Sequence, residues 1–90
     1  MAKVIVYSKN GCPNCVLAKN YLTNRGIEFE ERNIDEKPEY KADVAALGYM
    51  QVPVVVVEFE KESHGLVRES TVGFNVPALD KMINDLGLDS

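Results

Sequence analysis

The two cysteines of the chain, Cys12 and Cys15, lie three positions apart in the stretch SKNGCPNCVLAKNYL, where a turn leads into a helical pattern. This spacing is compatible with a structural disulfide, half of a metal site or a redox-active pair. A disulfide that closes so small a loop removes little entropy from the unfolded chain, and a reducing compartment opposes it. A structural disulfide is therefore the least favoured of the three.

A metal site needs more ligands than the chain offers near the pair. Zinc and iron sites normally use four ligands, and the only histidine, His64, lies in a charged turn far along the sequence. We expect His64 to be a surface turn residue. A redox pair fits better, because at the start of a helix the unpaired N–H groups and the helix dipole stabilise a thiolate.

The position of each cysteine in this helix predicts its role. Cys12 would lie at the N-terminus, where its thiolate fraction at neutral pH rises and makes it the attacking nucleophile. Cys15, one turn further on, would face the protein and resolve the mixed disulfide. Pro13 and Asn14, between the cysteines, would set the redox balance of the pair.

The elements that position the pair follow from hydrophobic periodicity and from turn residues. A β-branched run over residues 3–7 predicts a buried strand, and the pattern from Pro13 to Gly26 predicts the cysteine helix. The later elements alternate in the same way and give the order β-α-β-α-β-β-α, an α/β sandwich in which helices cover a four-stranded sheet. They are a half-exposed strand over 27–31, a helix that opens at Asp35 and Pro38 and closes at Gly48, a central strand VPVVVVEF, a short strand LVRE after a charged turn, and a last helix capped by Asn75, with an apolar stripe that ends before Gly87.

Length and charge narrow the class of protein. A chain of 90 residues supports one modest core, so we expect a single domain over residues 1–90. The chain has ten basic and fourteen acidic residues, a net charge of -4, and its basic residues are spread along the sequence. This charge pattern argues against binding to nucleic acid. No apolar run approaches the roughly 20 residues of a membrane span. We expect a cytoplasmic monomer that binds neither nucleic acid nor membranes.

Three separated motifs resemble the signature regions of the glutaredoxins: VYSKNGCPNC, YMQVPVVVVE and STVGFNVPALDKMI. The resemblance runs from residue 3 to about residue 86, and it implies the thioredoxin fold, with a mixed four-stranded sheet flanked by three helices. It implies that the first two strands are parallel and that the third and fourth form an antiparallel hairpin. It also implies a cis peptide bond at Val52-Pro53, which would turn the Val52 backbone towards the cysteines, where an extended client peptide could pair with it.

The same resemblance implies no resident cofactor and glutathione as a possible co-substrate. Glutathione-dependent members typically carry Gly-Gly before the last helix, followed by an acidic pair where that helix opens. This chain has Val72-Gly73 and then Asn75-Val76 at these positions. Gly73 keeps the close backbone approach, but the charge pairing with the ammonium of glutathione is lost, so weak binding is expected. The residues implied in contact with glutathione or a client are Lys9, Val52, Pro53, Gly73, Phe74 and Asn75.

The Gly73-Phe74 pair is similar to that of the glutaredoxin-like redoxins that reduce ribonucleotide reductase and draw on thioredoxin reductase. Those redoxins usually have Trp-Ser before the pair and an arginine after it, which this chain lacks. The implied function is a dithiol–disulfide oxidoreductase that reduces protein disulfides, with ribonucleotide reductase as a client and either glutathione or thioredoxin reductase as electron source. The alternative is an iron–sulfur cluster carrier, in which two chains and two glutathiones hold the cluster through Cys12, although Pro13 crowds that space.

Two further side chains near the cysteines have competing interpretations. Lys9 could favour the Cys12 thiolate and meet a peptide or glutathione carboxylate, or it could be a solvated turn lysine. Tyr7 ends the first strand and could line the pocket, but an aromatic residue at a strand end is more often part of the core.

Overall fold

A mixed sheet of four strands with helices on both faces makes up the part of the chain that the structure, a computed structural model, describes: residues 3–61 and 65–86. Across the sheet the strands follow the order second, first, third and fourth; the first strand is parallel to the second and antiparallel to the third, and the third and fourth form an antiparallel hairpin. The thioredoxin fold is confirmed. The elements are β1 Lys3–Ser8, α1 Pro13–Asn24, β2 Glu30–Asn33, α2 Pro38–Ala46, β3 Val54–Lys61, β4 Gly65–Val72 and α3 Val76–Leu86.

The central strands β1 and β3 are covered on both faces, as their near-continuous β-branched sequences predict. Alternate residues point to opposite sides, so Val4 and Val6 pack against α1 and α3, while Ile5 and Tyr7 pack on the α2 side. The face under α1 holds the larger apolar cluster, which fixes the cysteine helix on the sheet. Its other members include Ala18, Leu22, Val55, Val57, Leu79, Met82 and Ile83.

The second strand begins later than the alternation over residues 27–31 predicts, because β2 covers Glu30–Asn33. Gly26 adopts a left-handed conformation with φ 72°, and the Ile27 N–H donates to the Leu22 carbonyl at 3.0 Å. This is the Schellman arrangement that closes a helix. Ile27 is therefore held by the helix end and buried in the core, and pairing with β1 starts only at Glu30.

The central strand, predicted over VPVVVVEF, covers Val54–Lys61, because pairing with both neighbouring strands begins at Val54. The first strand is one residue longer than predicted and ends at Ser8.

The boundaries of α2 and β4 also differ from the prediction. Pro38 is the first residue of α2 as expected, but the N-cap is Lys37 and not Asp35. The Asp35 carboxylate instead accepts the N–H of Asn10 at 2.9 Å, so it fixes the loop that precedes α1. The predicted short strand LVRE is extended to Gly65–Val72, because each of its residues has a partner on β3.

Parts of the predicted pattern lie outside the described residues. They are the tip of the charged turn, including His64, and the last helix end at Gly87. None of the described helices is long and apolar enough to span a bilayer.

Replacing Gly26 tests the closure of the cysteine helix. Gly26→Ala should lower the free energy of unfolding by about 1 kcal/mol, because a side chain disfavours the left-handed conformation even where space is open. Gly26→Asn should cost less, since asparagine tolerates this conformation. Urea denaturation of both variants measures the difference, and equal midpoints for Ala and wild type would contradict the assigned helix end.

Candidate active site

Cys12 is the N-cap of α1, and its own sulfur does the capping. Its backbone is extended (φ -110°, ψ 99°). Pro13 occupies the first turn, where its lack of an N–H costs no hydrogen bond of the helix. The Cys15 N–H donates to the Cys12 sulfur at 3.1 Å. The two residues are joined by a disulfide, with their Cα atoms 5.3 Å apart. The pair therefore sits at the helix start, in its oxidised form.

The two cysteines differ in what can reach them. Cys12 is 9% exposed and opens into a cleft of about 470 Å³, whereas Cys15 is 1% exposed beneath it. Pro13, which lines this cleft, and Asn14 are both exposed. A sulfur atom of another molecule can therefore approach Cys12, while Cys15 is placed to react with Cys12 from within.

The groups around this helix start carry more positive than negative charge. The first turn of α1 contains no acidic residue, so the partial charge of the N-terminal N–H groups is not offset there. Two lysines, Lys9 from the loop after β1 and Lys19 from α1, line the cleft together with one carboxylate, Glu31 of β2. Both the helix dipole and the lysines favour the thiolate form of a reduced cysteine.

Ser8, Lys19 and Glu31 form a hydrogen-bonded group at the cleft that the sequence did not predict. The buried Ser8 hydroxyl donates to Glu31 Oε2 at 2.7 Å, and Lys19 Nζ donates to the same oxygen at 2.8 Å. The hydrogen bond from Lys19, followed by that from Ser8, holds the pKa of Glu31 below its ordinary value. The sequence carried one usable signal, since Lys19 follows Cys15 by four positions and so shares its helix face.

The Val52-Pro53 peptide bond is cis, as the resemblance implied. The Pro53 carbonyl accepts the Gly73 N–H at 2.7 Å, which ties this loop to the one before α3. Gly73 has φ 78°, a conformation that glycine adopts without strain. Val52 lines an apolar cavity of about 270 Å³, and Lys9 lines both this cavity and the cysteine cleft.

Phe74 and Asn75, also predicted to contact glutathione or a client, make contacts within the protein. The Phe74 ring packs edge-on against Tyr21, with ring centroids 6.1 Å apart. Asn75 Oδ1 accepts the N–H of Ala78 at 3.2 Å, which is the predicted helix cap. Among the described residues, neither of these two lines the cysteine cleft or the Val52 cavity.

Tyr7 is a core residue on the face opposite α1. It is 4% exposed, and its hydroxyl accepts a hydrogen bond from Arg32 at 3.0 Å and donates to Asp43 at 3.4 Å. Burial is the main cause that raises the pKa of Tyr7 above its usual value. Tyr7 therefore supports the sheet and does not line the cysteine cleft.

Within residues 3–61 and 65–86, no group of three or more histidine, cysteine, aspartate or glutamate side chains is arranged to hold a metal ion.

Comparison with known proteins places the chain among small redox proteins. The glutaredoxin family model matches residues 4–60. The glutaredoxin-like protein NrdH of Lactococcus lactis subsp. lactis is 44% identical over 52 residues, which are 58% of this chain and 72% of that protein. NrdH of Escherichia coli K12 is 37% identical over 54 residues, 60% of this chain and 67% of that protein.

Solved structures agree with these matches. The structure of NrdH-redoxin from Escherichia coli, a glutaredoxin-like protein with a thioredoxin-like activity profile, superposes with a TM-score of 0.70 and 29% identity. The match covers 89% of this chain and 93% of that one. A glutaredoxin from Archaeoglobus fulgidus gives a TM-score of 0.67 and 27% identity over 92% of this chain and 87% of its own.

Alkylation of the reduced protein tests the difference between the two cysteines. Cys12 should titrate below the ordinary cysteine value of about 8.5 and react with iodoacetamide faster than Cys15 at neutral pH, because it is more exposed and lies at the helix N-terminus. Mass spectrometry of quenched samples gives both rates. The urea-unfolded protein is the control, in which the two rates should converge. Equal rates in the folded protein would contradict the assignment.

Proposed function

The chain belongs to the glutaredoxin family of thiol–disulfide oxidoreductases, and we propose that it reduces protein disulfides by attack of Cys12 and resolution by Cys15. The Cys12 thiolate attacks one sulfur of the client disulfide, and the other client sulfur leaves as a thiolate. Cys15, after losing its proton, attacks the Cys12 sulfur and releases the first client sulfur. The client gains two electrons, and the protein is left with the Cys12–Cys15 disulfide. The observation that carries this proposal is the position of Cys12 at the helix start, where it is the more accessible of the two cysteines, with Cys15 buried behind it.

Exposed apolar side chains at the cysteine cleft and at the Val52 cavity support a protein client over a small polar disulfide. Val16, which lines the cysteine cleft, is 50% exposed, and Met50, which lines the Val52 cavity, is 98% exposed. Exposed apolar groups of this kind gain from burial against a partner. An extended client segment would pair with the Val52 backbone and lie across these side chains.

We propose ribonucleotide reductase as the client. Two features support this assignment: the NrdH relatives, and the Gly73-Phe74 pair, which is similar to that of redoxins serving this enzyme. The protein would work as a monomer of one domain in the cytoplasm, where the reducing environment keeps the dithiol available.

The electron source that we propose is a thioredoxin reductase, with glutathione as a weak co-substrate. The first turn of α3 contains no acidic residue that could pair with the glutathione ammonium, and the Asn75 side-chain oxygen is occupied by the Ala78 N–H. Lys9 and the Val52 backbone would still provide two of the contacts expected for glutathione. Reduction of the oxidised protein by NADPH with thioredoxin reductase, compared in parallel with glutathione and glutathione reductase, tests this assignment.

Serine substitution separates the two cysteine roles. Cys12→Ser should abolish all disulfide reduction, because the attacking thiolate is lost. Cys15→Ser should abolish turnover of a protein disulfide but trap the client on Cys12, since only the resolving step is lost. Insulin reduction and non-reducing gel electrophoresis measure the two outcomes. Full turnover by Cys15→Ser would replace this mechanism with a monothiol one.

Introducing acidic residues at the start of α3 tests the explanation of weak glutathione use. The double variant Asn75→Asp/Val76→Asp should raise glutathione-driven turnover by about ten- to a hundredfold, as expected when a charge-assisted hydrogen bond worth roughly 1.5–3 kcal/mol is gained. Aspartate also caps helices, so the fold should be kept. Thioredoxin-reductase-driven turnover should stay nearly unchanged.

The matched control is Asn84→Asp, which adds a charge at an exposed position on the same helix, away from the loop. It should leave glutathione turnover at the wild-type rate. If the double variant gains nothing, or if the wild type already turns over with glutathione as fast as a typical glutaredoxin, the explanation is wrong.

A further inference from the structure

Lys19 is a cation of the cysteine cleft, and the two steps of the proposed cycle do not say which cysteine its charge stabilises. Its ammonium group is 2.8 Å from Glu31 Oε2, and its side chain is 27% exposed. Cys12, Cys15, Lys19 and Glu31 all line the same cleft. An ammonium has three N–H donors, and the ion pair with Glu31 uses one of them. Within residues 3–61 and 65–86 the other two N–H groups have no acceptor, so they remain available to the cleft.

The fold directs Lys19 towards the cysteines. Residues four positions apart in a helix lie one above the other, and helical side chains tilt towards the N-terminus, so Lys19 leans back over the turn that holds Cys15. Glu31 pairs with Val6 of β1 and so shares the sheet face that α1 covers. Ser8 lies two residues after Val6, on the same face, and its buried hydroxyl binds Glu31.

The resolving step is where a cation at this place matters. Cys15 must become a thiolate before it can attack, and it is 1% exposed, so water reaches it only through the cleft that it lines. Burial disfavours a charged thiolate and raises the pKa of a thiol. Cys12 is helped by the N-terminal N–H groups, whereas Cys15 lies inside the first turn and its own N–H is directed at the Cys12 sulfur.

We propose that Lys19 stabilises the Cys15 thiolate during resolution, and that Ser8 and Glu31 are positioning residues that hold its ammonium at the cleft. The proposal rests on the cysteine roles given above. Cys15 releases its proton to water in the cleft, the Cys12–client bond breaks as the Cys12–Cys15 bond forms, and the client thiolate takes a proton from solvent. Lys19 acts through its positive charge and takes no part in the proton transfer.

Glu31 is an anchor in this scheme and not the proton acceptor. Its Oε2 already accepts two hydrogen bonds, and the pKa of Glu31 is lowered, first by Lys19 and then by Ser8. A carboxylate of this kind stays ionised at neutral pH and is a poor base for a thiol. The other charged residue that lines the cleft is Lys9, in the loop before α1.

The test follows the reaction of the reduced protein with the uncharged reagent dithiodipyridine, which releases one thiopyridone when Cys12 attacks and a second when Cys15 resolves. Lys19→Met should slow the second release at pH 7 by roughly threefold for each unit by which the Cys15 pKa rises, because thiolate is lost faster than nucleophilicity is gained. Above the pKa of the thiol the variant should equal or exceed wild type. Stopped-flow absorbance across a pH series measures both releases.

Three comparisons make the outcome decisive. Lys19→Arg keeps the charge and should restore the wild-type profile, while Lys81→Met removes an exposed lysine of α3 and should not alter it. Ser8→Ala should slow the second release in the wild-type background and add nothing to Lys19→Met. A second release that is unchanged in Lys19→Met, or slowed equally at every pH, would overturn the role of Lys19, and an additive effect of Ser8→Ala would overturn its positioning role.

The cysteine roles are checked separately in the same assay. Cys15→Ser should release one thiopyridone and retain the other on Cys12. If it releases both, the proposed function fails, whereas one release combined with an unaffected Lys19→Met variant rejects the inference about Lys19 alone.

Discussion

The hydrogen bond from the Cys15 amide to the Cys12 sulfur serves both the fold and the chemistry. The first N–H groups of a helix have no carbonyl partner and usually find an oxygen of serine, threonine or aspartate. Here a sulfur takes that place, at 3.1 Å. A thiolate accepts hydrogen bonds more strongly than a neutral thiol does, so ionisation of Cys12 and formation of the helix start favour each other. The reactive atom is thus held by a bond that the helix needs in any case.

The sheet register brings the parts of the site together from distant stretches of sequence. Tyr7 near the end of β1 is paired with Val54 at the start of β3, and Val54 is paired with Val72 at the end of β4. The loop that follows β1, the loop that precedes β3 and the loop that follows β4 therefore meet at the same end of the sheet. The Gly73-to-Pro53 hydrogen bond joins two of these loops. A slip of one residue between these strands would turn Tyr7 out of the core and separate the loops.

Elements with a strong apolar pattern could be predicted from the sequence, and those governed by polar contacts could not. The β-branched runs around Val6 and Val55 are typical of buried strands. Pro13 and Gly26 predict the two ends of the cysteine helix, because their backbones favour the first turn and the left-handed closing position. The alternation after Ile27 was misleading, because Ile27 is buried by a helix closure and not by strand pairing. Asp35 has the residue type of a helix cap but binds the neighbouring loop.

The site follows the same division. The C-x-x-C spacing and its place before a helix indicated the cysteines directly, because the requirement for a thiolate at a helix N-terminus is local in sequence. The group formed by Ser8, Lys19 and Glu31 comes from three elements, and each member taken alone is an ordinary polar residue. Only the parallel pairing of β1 with β2, under α1, brings them into contact.

The short strand β2 protects the sheet against association with other chains. β2 lies at one edge of the sheet, it is four residues long, and its sequence is EERN. Exposed edge strands present N–H and C=O groups that can recruit a strand from a neighbouring molecule, and proteins limit this by keeping edges short and charged. The charges of Glu30, Glu31 and Arg32 make such recruitment costly. The same residues that weaken the hydrophobic pattern of β2 therefore lower the tendency of the protein to aggregate when its concentration is high.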